Sequence, residues 1–158
     1  MIIRDATQGD AAAISAFWSP LILHSVVTFN SIAKAPRDVC DMIRDRPCFL
    51  VAEVVGAAVG FVTYDQFRGG VGYAHTMEHT IILAPEAQGQ GAGRALMLAA
   101  MEHARARQVH SLVAGVSGEN AAGVTFHANL GFEQVAVLPE VGRKFGRWMD
   151  LVLMQKRL

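Results

Sequence analysis

The segment Gln88-Gly89-Gln90-Gly91-Ala92-Gly93 follows a predicted strand and precedes a predicted helix. Glycines placed there let backbone N–H groups approach a phosphate closely, and the helix N-terminus adds about half a positive charge. A dinucleotide fingerprint would need a glycine where Arg94 stands, and a P-loop needs Gly-Lys, which the chain lacks. A plain strand-to-helix loop is the other reading of these glycines. Upstream, Glu78 sits in an apolar run, where burial would raise its pKa toward the range a general base uses. Its alternative is a buried ion pair with Arg143 or Arg147. His127, in a predicted helix, can hold and release a proton near neutral pH, or it can simply cap or pack. Asn120, at a strand-to-helix junction, can serve as an N-cap.

Other chemistries are weaker in this chain. His75 and His79 fall on one strand, where four residues span about 13 Å at roughly 3.3 Å each, too far for one zinc with bonds near 2 Å. No metal site is expected. Cys40 and Cys48 show no metal-ligand spacing, and neither has an evident base partner. Arg143-Lys144-Phe145-Gly146-Arg147-Trp148 interleaves cations with aromatics. The whole chain nevertheless balances 14 Lys and Arg against 14 Asp and Glu, which excludes a general nucleic-acid footprint. The bias is local: residues 1–66 carry five basic and seven acidic side chains, and residues 67–158 carry nine and seven.

The elements that must position these groups read clearly. A length of 158 residues with 52% hydrophobic and 18% charged residues suits one domain spanning 1–158, and argues against disorder. Ile2-Ile3 opens a strand. Thr7 or Asp10 caps a helix from Ala11 to about Trp18, with Pro20 expected to end or kink it. A second helix runs from Pro36 to about Arg46. Phe49–Val55 and Val59–Tyr64 form a hairpin turning at Gly56-Ala57, and Thr76–Leu83 is the next strand. A helix covers Arg94 to about Arg107, with Met97, Met101 and Ala104 on one face. Ser111–Val116 is a strand, Ala121–Leu130 a helix stopped by Gly131, and Phe132–Leu138 and Trp148–Met154 the closing strands. The order β-α-α-β-β-β-α-β-α-β-β predicts one mixed α/β fold. No run approaches about 18 apolar residues, and the first residues lack the pattern of a signal peptide, so a cytoplasmic protein without membrane association is expected.

Gln88–Gly93 matches the Q/R-x-x-G-x-G/A signature of the GCN5-related N-acetyltransferases (GNAT), and Asn120 and His127-Ala-Asn-Leu-Gly131-Phe132 fall where that family places them. Met77-Glu78-His79-Thr80, Glu119-Asn120-Ala121-Ala122 and Val141–Leu151 resemble its phosphinothricin and methionine sulfoximine acetyltransferase branch. The resemblance implies a mostly antiparallel mixed sheet of about six or seven strands flanked by four helices, acetyl-CoA as co-substrate, a small-molecule amine as partner, and a homodimer. It implies that Ile81, Ile82, Leu83, Gln88, Gly89, Gln90, Gly91, Ala92, Gly93, Arg94 and Asn120 hold acetyl-CoA. Thr28, Phe29, Arg68, Ala74, His75, Thr76 and Met77 would face the amine, with Glu78 as general base and His127 as proton donor to the leaving sulfur. Attack would be direct, with no covalent enzyme intermediate. The chain departs from the branch on the amine side. Ala74-His75-Thr76 stands where an Arg-aromatic-Thr is usual, and Asn30 where an acidic residue is. Loss of that Arg removes a bidentate clamp for a carboxylate or phosphinate, for which Arg68 is the available substitute. An amino sugar, polyamine or peptide N-terminus as the acetylated amine, and a CoA-binding protein without turnover, remain alternatives.

Overall fold

The computed structural model describes residues 1–158. A seven-stranded sheet in the order β1-β2-β3-β4-β5-β7-β6 forms its centre. The strands are β1 (Ile2–Asp5), β2 (Cys48–Val54), β3 (Ala57–Gln66), β4 (Thr76–Leu83), β5 (Ser111–Ser117), β6 (Glu133–Lys144) and β7 (Arg147–Arg157). Only β4 and β5 run parallel; every other neighbouring pair is antiparallel. The helices are α1 (Ala11–His24), α2 (Pro36–Asp45), α3 (Ala92–Ala106) and α4 (Ala121–Ala128). The mixed, mostly antiparallel sheet with four helices is the architecture expected from the sequence.

The period of two along each strand divides the core into two layers. Leu50, Ala52, Val62 and Tyr64 face α3, where Leu96, Met97, Ala100, Met101 and Ala104 form the buried stripe. Phe49, Val51, Phe61 and Ile82 face the opposite way, against Ile14, Trp18 and Ile22 of α1 and Val39 of α2. Trp18, Phe49 and Phe61 pack as an aromatic cluster, with ring centroids 4.8 Å and 5.1 Å from that of Phe61. Two adjacent residues of β4 therefore look into different layers, and this decides the geometry of the site.

Several boundaries differ from those expected: β7 runs on to Arg157, β3 spans Ala57–Gln66, α4 stops at Ala128, and three further differences have a clear physical cause. Helix α1 continues through Pro20 to His24. Proline inside a helix costs about 3 kcal/mol, but Trp18 and Ile22 on either side of it are both buried in the second layer. That burial outweighs the missing hydrogen bond. The first hairpin turns at Val55-Gly56, both at positive φ, one residue earlier than expected. Strand β6 runs on past Leu138 to Lys144, with a register shift between Leu138 and Gly142 that absorbs Pro139. Its hairpin closes at Phe145-Gly146, again with both residues at positive φ, the two-residue turn that matches strand twist.

Candidate active site

The parallel ladder between β4 and β5 runs from Thr76↔Ser111 to His79↔Ala114 and stops there. Both strands continue: β3 pairs with β4 as far as Leu83, and β7 pairs with β5 as far as Ser117. Beyond His79 the two strands separate inside an otherwise continuous sheet. Alternate backbone N–H and C=O groups of Thr80–Leu83 and Gly115–Ser117 thus face a gap rather than a partner strand. The gap widens into a cleft of about 380 Å³ bordered by both strands, the α1–α2 loop and the start of α4.

The glycine turn follows β4 after a short helical turn at Pro85–Ala87 and lies outside the cleft lining. Gly89 and Gly91 have φ of +72° and +82°, and an added Cβ at either would meet nothing within 4 Å. Glycine is needed there for the backbone conformation, and the open space leaves the main chain accessible. Gly91 is the N-cap of α3, and Ala95 N–H to Gly91 O is the first helical bond, so the N–H groups before Ala95 have no intrahelical partner. Gly93 serves differently: an added Cβ would sit 3.1 Å from the Phe126 ring and 3.4 Å from Leu83. That glycine lets α3 pack closely on α4 and β4. Gln90 bonds the Glu86 carbonyl, and Arg94 is exposed beside the turn.

Glu78 and His79 show the two-layer division. Glu78 lines the cleft and is exposed, not buried as its apolar surroundings in sequence suggested. The cleft walls still push its carboxyl above the usual range, with Arg46 opposing weakly. Neither arginine considered for Glu78 pairs with it. Arg147 bonds Glu119 at 2.7 Å, and Arg143 stacks on Trp148 at 4.7 Å. His79, on the α3–α4 side, is 6% exposed, and its Nε2 lies 2.9 Å from Nε2 of His127, also 6% exposed. The Nδ1 of His127 donates to the Gly123 carbonyl at 2.7 Å. Both nitrogens of His127 are thereby engaged. Asn120 accepts from the Gly123 N–H at 2.9 Å as the N-cap of α4, and it also borders the cleft.

The opposite wall is formed by Val27, Thr28, Phe29 and Asn30 of the α1–α2 loop, with Trp18 and Leu151. This loop is held from a distance. The Lys144 side chain is buried, and its Nζ donates to the carbonyls of Ile22, Ser25 and Thr28 at 2.6, 2.7 and 2.8 Å. Burial lowers the Lys144 pKa, while the carbonyls at the C-terminal end of α1 favour the ammonium. Phe29 lies over Gly142, where an added Cβ would come within 2.6 Å of its ring.

Of the residues expected to face the amine, Thr28 and Phe29 line the cleft. Arg68, Ala74, His75, Thr76 and Met77 lie outside its lining. Arg68 stacks 5.5 Å from the Tyr73 ring in the β3–β4 loop, and His75 bonds the Gln108 carbonyl. Met77 packs against the α3 layer. Of those assigned to acetyl-CoA, Ile81, Ile82 and Asn120 line the cleft, while Leu83 and the glycine turn continue from its β4 edge. No three His, Cys, Asp or Glu side chains converge in a way that could hold a metal ion.

A family model described as acetyltransferase (GNAT) family matches residues 18–132. The chain belongs to that family. An L-methionine sulfoximine/L-methionine sulfone acetyltransferase of Salmonella typhimurium is 35% identical across 100% of this chain and 95% of its own. A ribosomal-protein-alanine N-acetyltransferase from Brucella melitensis superimposes with a TM-score of 0.96 at 36% identity, covering all of both chains. A phosphinothricin acetyltransferase from Sinorhizobium meliloti, solved in complex with acetyl-CoA, gives 0.94 at 27% identity, covering 99% of this chain and 88% of that one. This GNAT protein is an N-acetyltransferase.

Within the GNAT frame, sequence reasoning located the glycine turn and Glu78 but passed over His79 and Lys144 as site residues. His79 carried one usable signal, a histidine facing the apolar side of a strand whose next residue outward is a carboxylate. Lys144 carried none, because its partners lie more than 100 residues away in the chain.

Proposed function

We propose that this protein transfers an acetyl group from acetyl-CoA to the primary amine of a small amino acid or analogue, with Glu78 as the general base. The observation that carries this reading is the separation of β4 and β5. It opens the sheet beside Glu78, with the glycine turn continuing from one edge and the Thr28–Phe29 loop across from it. Acetyl-CoA supplies the acetyl thioester. The free N–H groups of the Gly89–Arg94 turn suit its pyrophosphate. The unpaired edges of Thr80–Leu83 and Gly115–Ser117 suit its amides, and the Asn120 amide borders the same path.

Glu78 takes a proton from the bound ammonium, and its raised pKa fits that task at neutral pH. A backbone N–H of the free β4 edge is placed to stabilise charge developing on the thioester oxygen. His127, which borders the cleft, serves as proton donor for the leaving sulfur only by exchanging its Nε2 contact with His79 for one with the sulfur. Thiols ionise near pH 8.5, so the sulfur leaves readily. No arginine lines the cleft, and its wall of Trp18, Val27, Thr28, Phe29, Asn30 and Leu151 carries no charge. Amines with a neutral side chain, such as methionine sulfone or sulfoximine, therefore fit better than phosphinothricin with its additional anionic group. A homodimer is supported by edge strand β6 and its hairpin, which expose Val135, Val137, Val141, Phe145 and Trp148. A cytoplasmic setting agrees with two free cysteines; no helix is long and apolar enough to cross a membrane.

Thiol release from acetyl-CoA, followed against a panel of amino-acid analogues, amino sugars, polyamines and peptide N-termini, tests the assignment. Release with methionine sulfone or sulfoximine is expected, and silence across the panel would refute it. Glu78→Gln should bind CoA normally while kcat falls by about 10²–10⁴-fold. Normal turnover in that variant would remove Glu78 from the mechanism.

A further inference from the structure

Three glycines lie within strands: Gly60 in β3, Gly115 in β5 and Gly142 in β6. A glycine inside a strand weakens it, and is kept where something approaches the backbone closely. Gly60 and Gly142 have such a neighbour in the protein itself. An added Cβ would come 2.5 Å from the Leu83 side chain in the first case and 2.6 Å from the Phe29 ring in the second. Gly115 has none. Its φ is not positive, and an added Cβ would meet only Glu78 Oε2 and Leu151 Cδ1, both at 3.5 Å, an ordinary contact distance. Neither backbone conformation nor packing in the free protein calls for glycine there.

The place of Gly115 in the sheet supplies another reason. Strand β5 is an inner strand between β4 and β7, and Gly115 is its first residue past the end of the β4–β5 ladder at Ala114. Val113 and Ser117, its neighbours on the same face, are buried, whereas Gly115 is exposed and lines the cleft. The bare backbone is thus an opening one residue wide in the middle of the sheet, with the Glu78 carboxylate on one side and the Leu151 methyl on the other.

Its dimensions match one chemical group. An ammonium donating to a carboxylate at about 2.8 Å, with a C–N bond near 1.5 Å and tetrahedral geometry at nitrogen, puts the carbon that bears it about 3.5 Å from the carboxylate oxygen. A Cβ on residue 115 would stand at that same 3.5 Å from Glu78 Oε2. We propose that the space over Gly115 is the subsite for the amine-bearing carbon of the molecule to be acetylated, and that Gly115 is the positioning residue that keeps it open. The proposal rests on the reading of Glu78 as general base. With the carbon seated there, its nitrogen is held on the Glu78 side, next to the point where β4 and β5 part. A side chain at position 115 would compete with the substrate for one volume. Every amine the protein acetylates shares this subsite, whatever else its carbon carries, so discrimination among side chains is left to the Val27–Asn30 wall.

Gly115→Ala separates this role from a structural one. Alanine suits a strand better than glycine and has room in the free protein, so the melting temperature should hold or rise. CoA affinity, measured by calorimetry, should be unchanged. In contrast, kcat/KM for methionine sulfone should fall by about 10–200-fold, the range for one methyl group in a pocket. The loss should be similar for each other amine that the wild type acetylates. Unchanged kcat/KM would overturn the proposal. So would a loss that grows with side-chain length, which would put the side chain over Gly115 in place of the amine-bearing carbon. A lowered melting temperature with weakened CoA binding would overturn it too, by making the glycine structural. If Glu78→Gln is impaired and Gly115→Ala is not, the proposal fails alone. If Glu78→Gln turns over normally, the reading of Glu78 as base fails, and the proposal with it.

Discussion

The side of the cleft proposed for CoA comes mainly from one continuous stretch, in which β4, the glycine turn and α3 occupy Thr76–Ala106, joined by Gly115–Ser117 and Asn120. The side proposed for the amine is assembled from parts far apart: Trp18 on α1, the Val27–Asn30 loop, Leu151 on β7, and Lys144 reaching the Ile22 carbonyl across 122 residues of chain. Local turn chemistry can specify the first, because a positive-φ glycine and a helix start need only their neighbours. The second exists only once the β6–β7 hairpin has closed against α1. On the proposed reading, the CoA side can be kept while the amine side changes.

Substitutions on the two sides should separate accordingly. The largest effect is expected at Gly91→Val, which forces a β-branched residue to φ near +82° at the α3 N-cap. A strain of about 1–3 kcal/mol corresponds to roughly 10–100-fold weaker CoA binding, measured by calorimetry, with amine KM little changed. An equal rise in both constants would show that the two sides are not independent.

Lys144→Met should act in the opposite sense. It strands three carbonyls at the end of α1, which costs about 1–3 kcal/mol of stability. It should also raise amine KM while CoA affinity holds. A fall in CoA affinity of similar size would break the comparison.

Acid should act on the junction between the sides. His79 and His127 have lower pKa values folded than unfolded, so below pH 6.5 the unfolded chain binds more protons and stability falls with pH. The slope is at most about 1.4 kcal/mol per pH unit for each ring. Denaturation midpoints from pH 7 to 4.5 should show the decline, and His79→Phe should flatten it. The opposite sign applies to Glu78, whose raised pKa places the acid limb of kcat/KM above the ordinary glutamate range. The smallest effect is expected at Arg68→Ala. Its guanidinium rests on Tyr73 outside the cleft lining, so amine KM should be unchanged. A large rise would bring the β3–β4 loop into the site.

Legibility followed the same division. The bounds of β4 agree with the sequence reading to the residue, because Thr76–Leu83 is an apolar run closed by Pro85. The α3 face was also readable, since Met97, Met101 and Ala104 recur at the helical period and all three are buried. Pro20 misled because its local cost is outweighed by packing that involves Phe61, about 40 residues on. The sequence reading ends β6 at Leu138, before Pro139, which cannot donate to a ladder. Pairing with β7 carries the strand past that residue.

The sequence by itself determined the element order, the family, the glycine turn and the presence of a carboxylate on β4. Each of these rests on periodicity, turn conformation or a motif carried by neighbouring residues. Tertiary structure alone decided where the β4–β5 ladder ends, which faces of β4 carry Glu78 and His79 into the site, that both nitrogens of His127 are engaged, and that Lys144 holds the amine-side loop. Apart from the local His127–Gly123 contact, these depend on contacts between residues tens to more than a hundred positions apart, for which no local pattern is required.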